Sequence, residues 1–353
     1  MRILQVMAGG DHGGAETAFV DMCVAMNEAG MEIEVATRAN PVRVPALEAA
    51  GIKVHLLPFG GPLDVFTGWK LGQIIKKFQP MIVQTWMGRA TQKTPNWKSL
   101  KTPQRYLLIS RLGGYYKIGN FKNTDYFNVN TPDLKRYLMD GGIAEHRIRQ
   151  INNFVEVDHD YIPVHKTDFN IPIDAPVLVT LGRLHRNKAQ DILLRALADV
   201  PGAYLLIAGE GEERENLEAL ARALGVWDRV RFLGWRTDRS ALMQMSDICV
   251  FPSRAEPFGN VFAQAWAEKL PVIVADAEGP RQFCRDGEDC LMVPRDDPDA
   301  LAEAIRNLLA DKDLQKRLVD TAHQRYLNEF TKEKTVAAYL GFFIESLEKE
   351  NIL

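Results

Sequence analysis

APVLVTLGRLHRNKAQDILLRAL, residues 175–197, reads as a buried strand, a loop carrying Arg183 and Lys188, and a helix. The same rhythm follows in AYLLIAGEGE (203–212), RVRFLG (229–234), DICVFPS (247–253) and PVIVAD (271–276), each apolar run separated from the next by a helix or a loop long enough to hold one. Strands alternating with helices predict a parallel, doubly wound sheet. The pattern also runs through the first half: RILQVM (2–7), MEIEVAT (31–37), IKVHLL (52–57), MIVQTW (81–86), RYLLIS (105–110) and YFNVN (126–130), with the helical AETAFVDMCVAMNEAG (15–30) stopped by Gly30. Between the two series lies INNFVEVDHDYIPVHKTDFNIP (151–172), polar and interrupted by proline as linkers are. A chain of 353 residues exceeds what one core usually serves, so two α/β domains are expected, residues 1–160 and 161–333, with a hinge near 155–170. In the last segment, 334–353, Val336, Tyr339, Leu340, Phe343 and Leu347 share a helical stripe that must bury against something.

Composition narrows the class. With 46% apolar and 25% charged residues the chain is an ordinary globular protein. Cys23, Cys249, Cys284 and Cys290 include no C-x-x-C pair, and the seven histidines show no ligand spacing, so neither a disulfide framework nor a metal site is expected. The N-terminus lacks the apolar region of a signal peptide, and no stretch approaches the roughly 20 apolar residues that cross a bilayer. A cytoplasmic protein, peripheral at most on the inner membrane face, is the expectation.

Three stretches carry chemistry. AGGDHGGAE (8–16) follows the first strand, and Gly9, Gly10, Gly13 and Gly14 open a helix whose free amides and positive dipole end suit a phosphate, a simple tight turn being the alternative; His12 reads as a ligand contact or, as lone loop histidines more often are, as solvated. Arg183 and Lys188 are cations at the carboxyl end of a parallel strand, where ligands bind in such sheets. DICVFPSRAEPFGNVFAQAWAEKLPVIVAD (247–276) sets Glu256 in a loop, then Phe258, Gly259 and Asn260 at the mouth of a helix on which Gln264 lies one turn beyond Asn260. The acidic run Asp296-Asp297-Pro298-Asp299 reads as a helix start rather than a cation site.

These residues resemble the retaining glycosyltransferases of family four. GRLHRNKAQD (182–191) is similar to their G-R-x4-K segment, EPFGNVFAQA (256–265) to their E-x7-E donor motif and GGAE (13–16) to their N-terminal phosphate loop; the likeness extends through AGEGEERENLEALA (208–221), VRFLGW (230–235) and DGEDCLMVPRDDPDALAEAI (286–305). The resemblance implies a GT-B fold, two Rossmann-like domains facing across a cleft with the C-terminal helix crossing back to the first. It implies metal-independent transfer of a sugar from a nucleotide diphosphate, a UDP-sugar, to a glycan or glycolipid in lipopolysaccharide or other envelope synthesis, with no cofactor. Arg183 and Lys188 would hold the diphosphate, Glu256 the sugar hydroxyls, the amides of Phe258, Gly259 and Asn260 the sugar and phosphates, Gln264 the ribose, and Gly234 with Trp235 the base; Gly13, Gly14 and Gly209 would border the donor. Two positions depart from the family: Gln264 replaces the second glutamate, and Gly113 stands where many relatives have a histidine. An epimerase or hydrolase on the same architecture, or a non-catalytic sugar-nucleotide binder, are the alternatives.

Independently of that resemblance, no acidic residue occurs between Asp64 and Asp125, while Lys70, Lys76, Lys77, Arg89, Lys93, Lys98, Lys101, Arg105, Arg111, Lys117 and Lys122 do. In a chain of net charge −3 this segregation predicts an acidic partner, with Arg111, Gly113, Lys93, Lys98 and Lys101 expected on the acceptor and membrane side of the first domain. An anionic membrane or phosphorylated glycolipid is favoured, with Trp69, Trp86, Trp97, Tyr106, Tyr115 and Tyr116 available as headgroup anchors; no nucleic-acid motif accompanies the charge.

Overall fold

The computed structural model describes residues 1–10, 13–61 and 63–353; His12 lies outside the described residues. The chain forms two compact units, Met1–Asn153 with Lys332–Leu353, and Phe154–Thr331. The first unit thus ends at Asn153 rather than near 160, because Val155 already belongs to the second core, where its amide donates to Phe330 O at 3.1 Å.

The first unit contains β1 (Arg2–Met7), β2 (Glu32–Thr37), β3 (Lys53–Leu56), β4 (Ile82–Trp86), β5 (Leu107–Leu112), β6 (Tyr126–Val129) and β7 (Ile148–Gln150) in one sheet of order β3-β2-β1-β4-β5-β6-β7. Every pairing is parallel. Helices cover both faces, so β1, β4 and β5 are buried almost throughout, and their apolar runs lack alternation for that reason. Two glutamines inside the sheet are linked: Gln5 Nε2 donates to Gln84 Oε1 at 2.9 Å and Trp86 Nε1 donates to Gln5 Oε1 at 2.9 Å, while Gln84 Nε2 is buried without a partner.

The final helix, Lys332–Lys349, belongs to this unit and buries Val336, Tyr339, Phe342, Phe343 and Leu347. Tyr339 Oη donates to Asn128 Oδ1 at 2.6 Å, Phe342 meets Tyr126 edge-on, and Arg105 pairs with Glu350 at 2.5 Å. Leu340, expected on the stripe, is 37% exposed. At 100° per residue Leu340 and Phe342 flank the face of Tyr339 and Phe343 on opposite sides, and the helix is packed on the side of Phe342.

In the second unit β8 (Val177–Leu181), β9 (Tyr204–Ala208), β10 (Val230–Gly234), β11 (Ile248–Phe251), β12 (Val272–Ala275) and β13 (Leu291–Val293) form a parallel sheet of order β10-β9-β8-β11-β12-β13. Val177, Val179 and Leu181 join a core with Phe258, Phe262, Trp266 and Phe330; Leu178 points to the opposite core, with Leu193, Leu197 and Ile305. The edge strands β7 and β13, three residues each, were not read from the sequence because so short a run has no pattern.

Candidate active site

In the second sheet the chain leaves β8 toward β9 and leaves β11 toward β12, in opposite directions, so the loops after these neighbouring strands diverge. Ligands of such sheets bind in the crevice outside the strand ends at this switch point. The loop after β8 carries Arg183, a short turn Arg186–Lys188, and Ala189 at φ 54° before the helix Gln190–Ala198. The loop after β11 carries Glu256 and ends at Gly259, φ 95°, before the helix Asn260–Ala267. Lys188 Nζ forms an ion pair with Glu256 Oε2, both side chains mostly buried, and lies 5.7 Å from the Phe251 ring centroid. Sequence reasoning named these two residues from separate motifs, and the fold makes them partners across the switch point.

Arg183 is placed differently. Its side chain is 68% exposed and pairs with Glu212, at 2.8 Å, on the loop after β9. A hydrogen bond from its own backbone amide, then Arg183, holds the Glu212 carboxyl below its ordinary range. An exposed pair of this kind is weak and yields readily to a competing anion.

Close backbone approach explains the glycines. A Cβ on Gly209 would sit 1.9 Å from Gly182 O, so the loops after β8 and β9 lie in contact. A Cβ on Gly279 would sit 2.3 Å from Phe258 O and 2.6 Å from Glu256 O, and the Gly279 amide donates to Glu256 O at 2.7 Å. The Glu256 loop is therefore seated on the helix Glu278–Phe283. The Phe258 ring is buried against Phe262, Phe283 and Phe330, leaving only its backbone to face the loop. Gln264 is buried one turn into its helix. Gly234, φ 69°, bridges to Gly209, and the neighbouring Trp235 is 70% exposed, so these three share the strand ends away from the switch point.

Arg254 was missed by sequence reasoning. Its guanidinium donates to Asp191 Oδ1 at 2.9 Å and Oδ2 at 2.7 Å, to Arg186 O at 2.7 Å, and to Asp296; its amide donates to Asn187 O at 2.8 Å. It ties the loop bearing Lys188 to the loop bearing Glu256. Asp297 caps the amide of Ala300 at 2.9 Å at the start of the helix Pro298–Ala310. Among the described residues one set of side chains clusters within metal-ligand reach: Cys284, Asp289 and Cys290, all buried. The Asp289 carboxylate is paired with Arg325 at 2.5 Å, and burial pushes the Cys284 thiol well up.

In the first unit Gly13 caps and Gly14 begins the helix Gly14–Glu28. Glu16 Oε1 accepts from the Gly10 amide at 2.7 Å, so the turn contains a carboxylate of its own. From below, the Arg43 guanidinium packs on Gly9 and donates to Gly10 O at 3.1 Å. Of the basic segment, Lys98 and Lys101 are exposed, but Lys93 Nζ is tied to Gly61 O at 2.9 Å and Asp64 O at 2.6 Å. Arg111, expected on the acceptor side beside Gly113, is buried with its guanidinium 4.2 Å from the Trp86 ring centroid. Trp86 and Tyr106 are core residues, whereas Trp69 and Tyr115 are exposed.

Comparison with known proteins agrees with both units. Residues 12–159 match the model of Glycosyltransferase Family 4, and residues 162–325 match that of Glycosyl transferases group 1. The lipopolysaccharide core biosynthesis glycosyltransferase LpsE of Rhizobium meliloti is 36% identical over 94% of this chain and 96% of its own length. LpsD of the same organism is 32% identical over 99% and 100%. Anabaena HepE, solved in complex with UDP, superposes with a TM-score of 0.84 at 20% identity, over 98% of this chain and 100% of that one, and shows the same GT-B fold. With both halves of the chain matched and relatives aligned over nearly their full length, the chain belongs to the family 4, group 1 glycosyl transferases and is a glycosyltransferase.

Proposed function

We propose that the chain moves a sugar from a UDP-sugar onto a lipopolysaccharide core or related envelope glycan, retaining the anomeric configuration and using no metal ion. The observation that carries this reading is the Lys188–Glu256 pair at the switch point of the second sheet, with Arg183 on the same loop as Lys188. Lys188 and Arg183 neutralise the charge that develops on the departing diphosphate, and Glu256 accepts hydrogen bonds from the donor sugar. The acceptor hydroxyl attacks the anomeric carbon from the face the diphosphate leaves, and a phosphate oxygen takes its proton. A protein base is dispensable in this scheme, which suits Gly113. Gln264 serves the ribose through neutral hydrogen bonds. LpsE and LpsD support the acceptor class by their names, and HepE supports UDP. Labelled UDP-sugars incubated with envelope lipid test the reading. Lys188→Met should lose about 10²–10³-fold in kcat, and wild-type activity should survive EDTA. Near-normal turnover of the variant, or an EDTA loss restored by manganese, would overturn it.

Contact with an anionic membrane is supported by a second observation. Among the described residues Leu63, Val65, Phe66 and Trp69 are exposed around the start of the helix Phe66–Phe78, with Lys70 Nζ 5.2 Å from the Trp69 ring centroid. Lys76, Lys77, Lys98 and Lys101 are exposed in the same unit. No helix among the described residues is long and apolar enough to cross a membrane. Each basic residue near such a surface contributes about 1 kcal/mol. A Lys98→Glu, Lys101→Glu variant should therefore sediment less with anionic vesicles at low salt, and equal binding to neutral and anionic vesicles would refute the idea.

A further inference from the structure

Arg111 lies near the carboxyl end of β5 and is 3% exposed. Its guanidinium stacks on Trp86, donates to Asn153 Oδ1, and adjoins the Tyr339 hydroxyl. Among the described residues no carboxylate pairs with it, and its Nε is buried without a hydrogen-bond partner. Asn130, just past the end of β6, is equally buried, and its Oδ1 also has no partner. Gly113 relates the two: a Cβ there would lie 2.7 Å from Arg111 Nη1 and 3.9 Å from Asn130 Oδ1. Gly113 itself is part-exposed and puts no side chain over this side of the guanidinium.

A buried cation without a counter-charge is costly, and an aromatic face and a neutral amide oxygen return only part of that cost. A purely structural position would be served as well by a neutral side chain. The uncompensated donor and the unused acceptor stand together at the ends of adjacent parallel strands, the edge at which such sheets receive ligands. A ligand that satisfies both carries an anionic group for Arg111 and a hydroxyl for Asn130.

We propose that Arg111, Asn130 and the opening at Gly113 form a site in the first unit that recognises a carboxylate or phosphate on a sugar acceptor. The inference rests on the reading of the chain as a UDP-sugar transferase and names the chemistry of its acceptor. It also gives Gly113 a reason: a side chain there, such as the histidine of many relatives, would collide with the guanidinium.

The test is calorimetry on the full chain with glucuronate, glucuronate methyl ester, glucose 6-phosphate, glucose and inorganic phosphate, with UDP titrated into the same samples. Glucuronate should bind on the order of 10- to 100-fold more tightly than its ester, or glucose 6-phosphate than glucose, the worth of a hydrogen bond to a charged group. Arg111→Gln should abolish that preference and leave UDP binding intact. Equal binding of charged and uncharged sugars would overturn the proposal, as would a preference that survives Arg111→Gln. Inorganic phosphate binding as tightly as the charged sugars would overturn the sugar-recognition part. If Arg111→Gln does not fold, the acid–ester comparison on the wild type decides alone. Loss of UDP binding by the wild type would strike the donor reading instead.

Discussion

Replacing Arg254 by methionine removes the clamp between the loops of Lys188 and Glu256 while keeping most of the side chain's bulk. In the structure this guanidinium makes a two-pronged contact with Asp191, binds Arg186 O and reaches Asp296, with its side chain 21% exposed. Truncation leaves the Asp191 carboxylate and the Arg186 carbonyl short of a partner. Breaking a buried ion pair costs about 3–5 kcal/mol, and partial exposure with some screening lowers the expectation here to about 2–3 kcal/mol. For a domain of this size each kcal/mol shifts Tm by roughly 2–4 °C, so the transition of the second unit should fall by roughly 4–12 °C. Thermal melts with and without saturating UDP, together with calorimetry, separate stability from loop placement. The variant should bind UDP more weakly even at a temperature where it is fully folded, and Asp191→Asn combined with it should be less than additive. A variant that melts with the wild type and binds UDP normally would refute the clamp.

Gly279→Ala puts a methyl group into the backbone of Phe258 and Glu256, which cannot yield as a flexible side chain would; about 1–3 kcal/mol of stability and a measurable share of UDP affinity should be lost, read by the same melts and titrations. Asp64 accepts from the Thr67 hydroxyl and amide and from the Gly60 amide, which with Lys93 hold its carboxyl down to about 2. Because the folded value lies below the unfolded one of about 4, its contribution is complete above pH ~4 and fades as pH falls toward 2. Asp64→Asn should therefore flatten the acid limb of the first unit's stability curve, and an unchanged limb would show that other carboxylates dominate it.

The two α/β series were legible because parallel strands covered on both faces leave long apolar runs, and because glycine turns and helix starts punctuate them. Lys188 and Glu256 were legible as motif residues, though 68 positions separate them and only the crossover of the sheet brings them together. Arg254 was invisible for the same reason: its carboxylate partners lie 63 and 42 residues away, and in SRAEPFG it reads as any surface charge. Charge counting along 65–124 carries no information on burial: Arg111 is buried on Trp86, and Lys93 is bound to carbonyls. Sequence shows that a charge exists, while its burial depends on strands far away in the chain.

The first unit is assembled from both ends of the chain, and synthesis runs from one end only. When Asn153 leaves the ribosome, the surface of β6 that will receive Tyr339 and Phe342 is bare, and the missing helix lies beyond the whole of Phe154–Thr331, roughly 180 residues further on. At about 5–20 residues per second that gap lasts roughly 9–36 s, far longer than helices and hairpins take to form. The second unit emerges contiguously during that interval and closes its core when Phe330 arrives, so the last part of the chain to be made completes the first part, and a nascent chain stalled before residue 332 would display an unprotected apolar face to whatever chaperone is near.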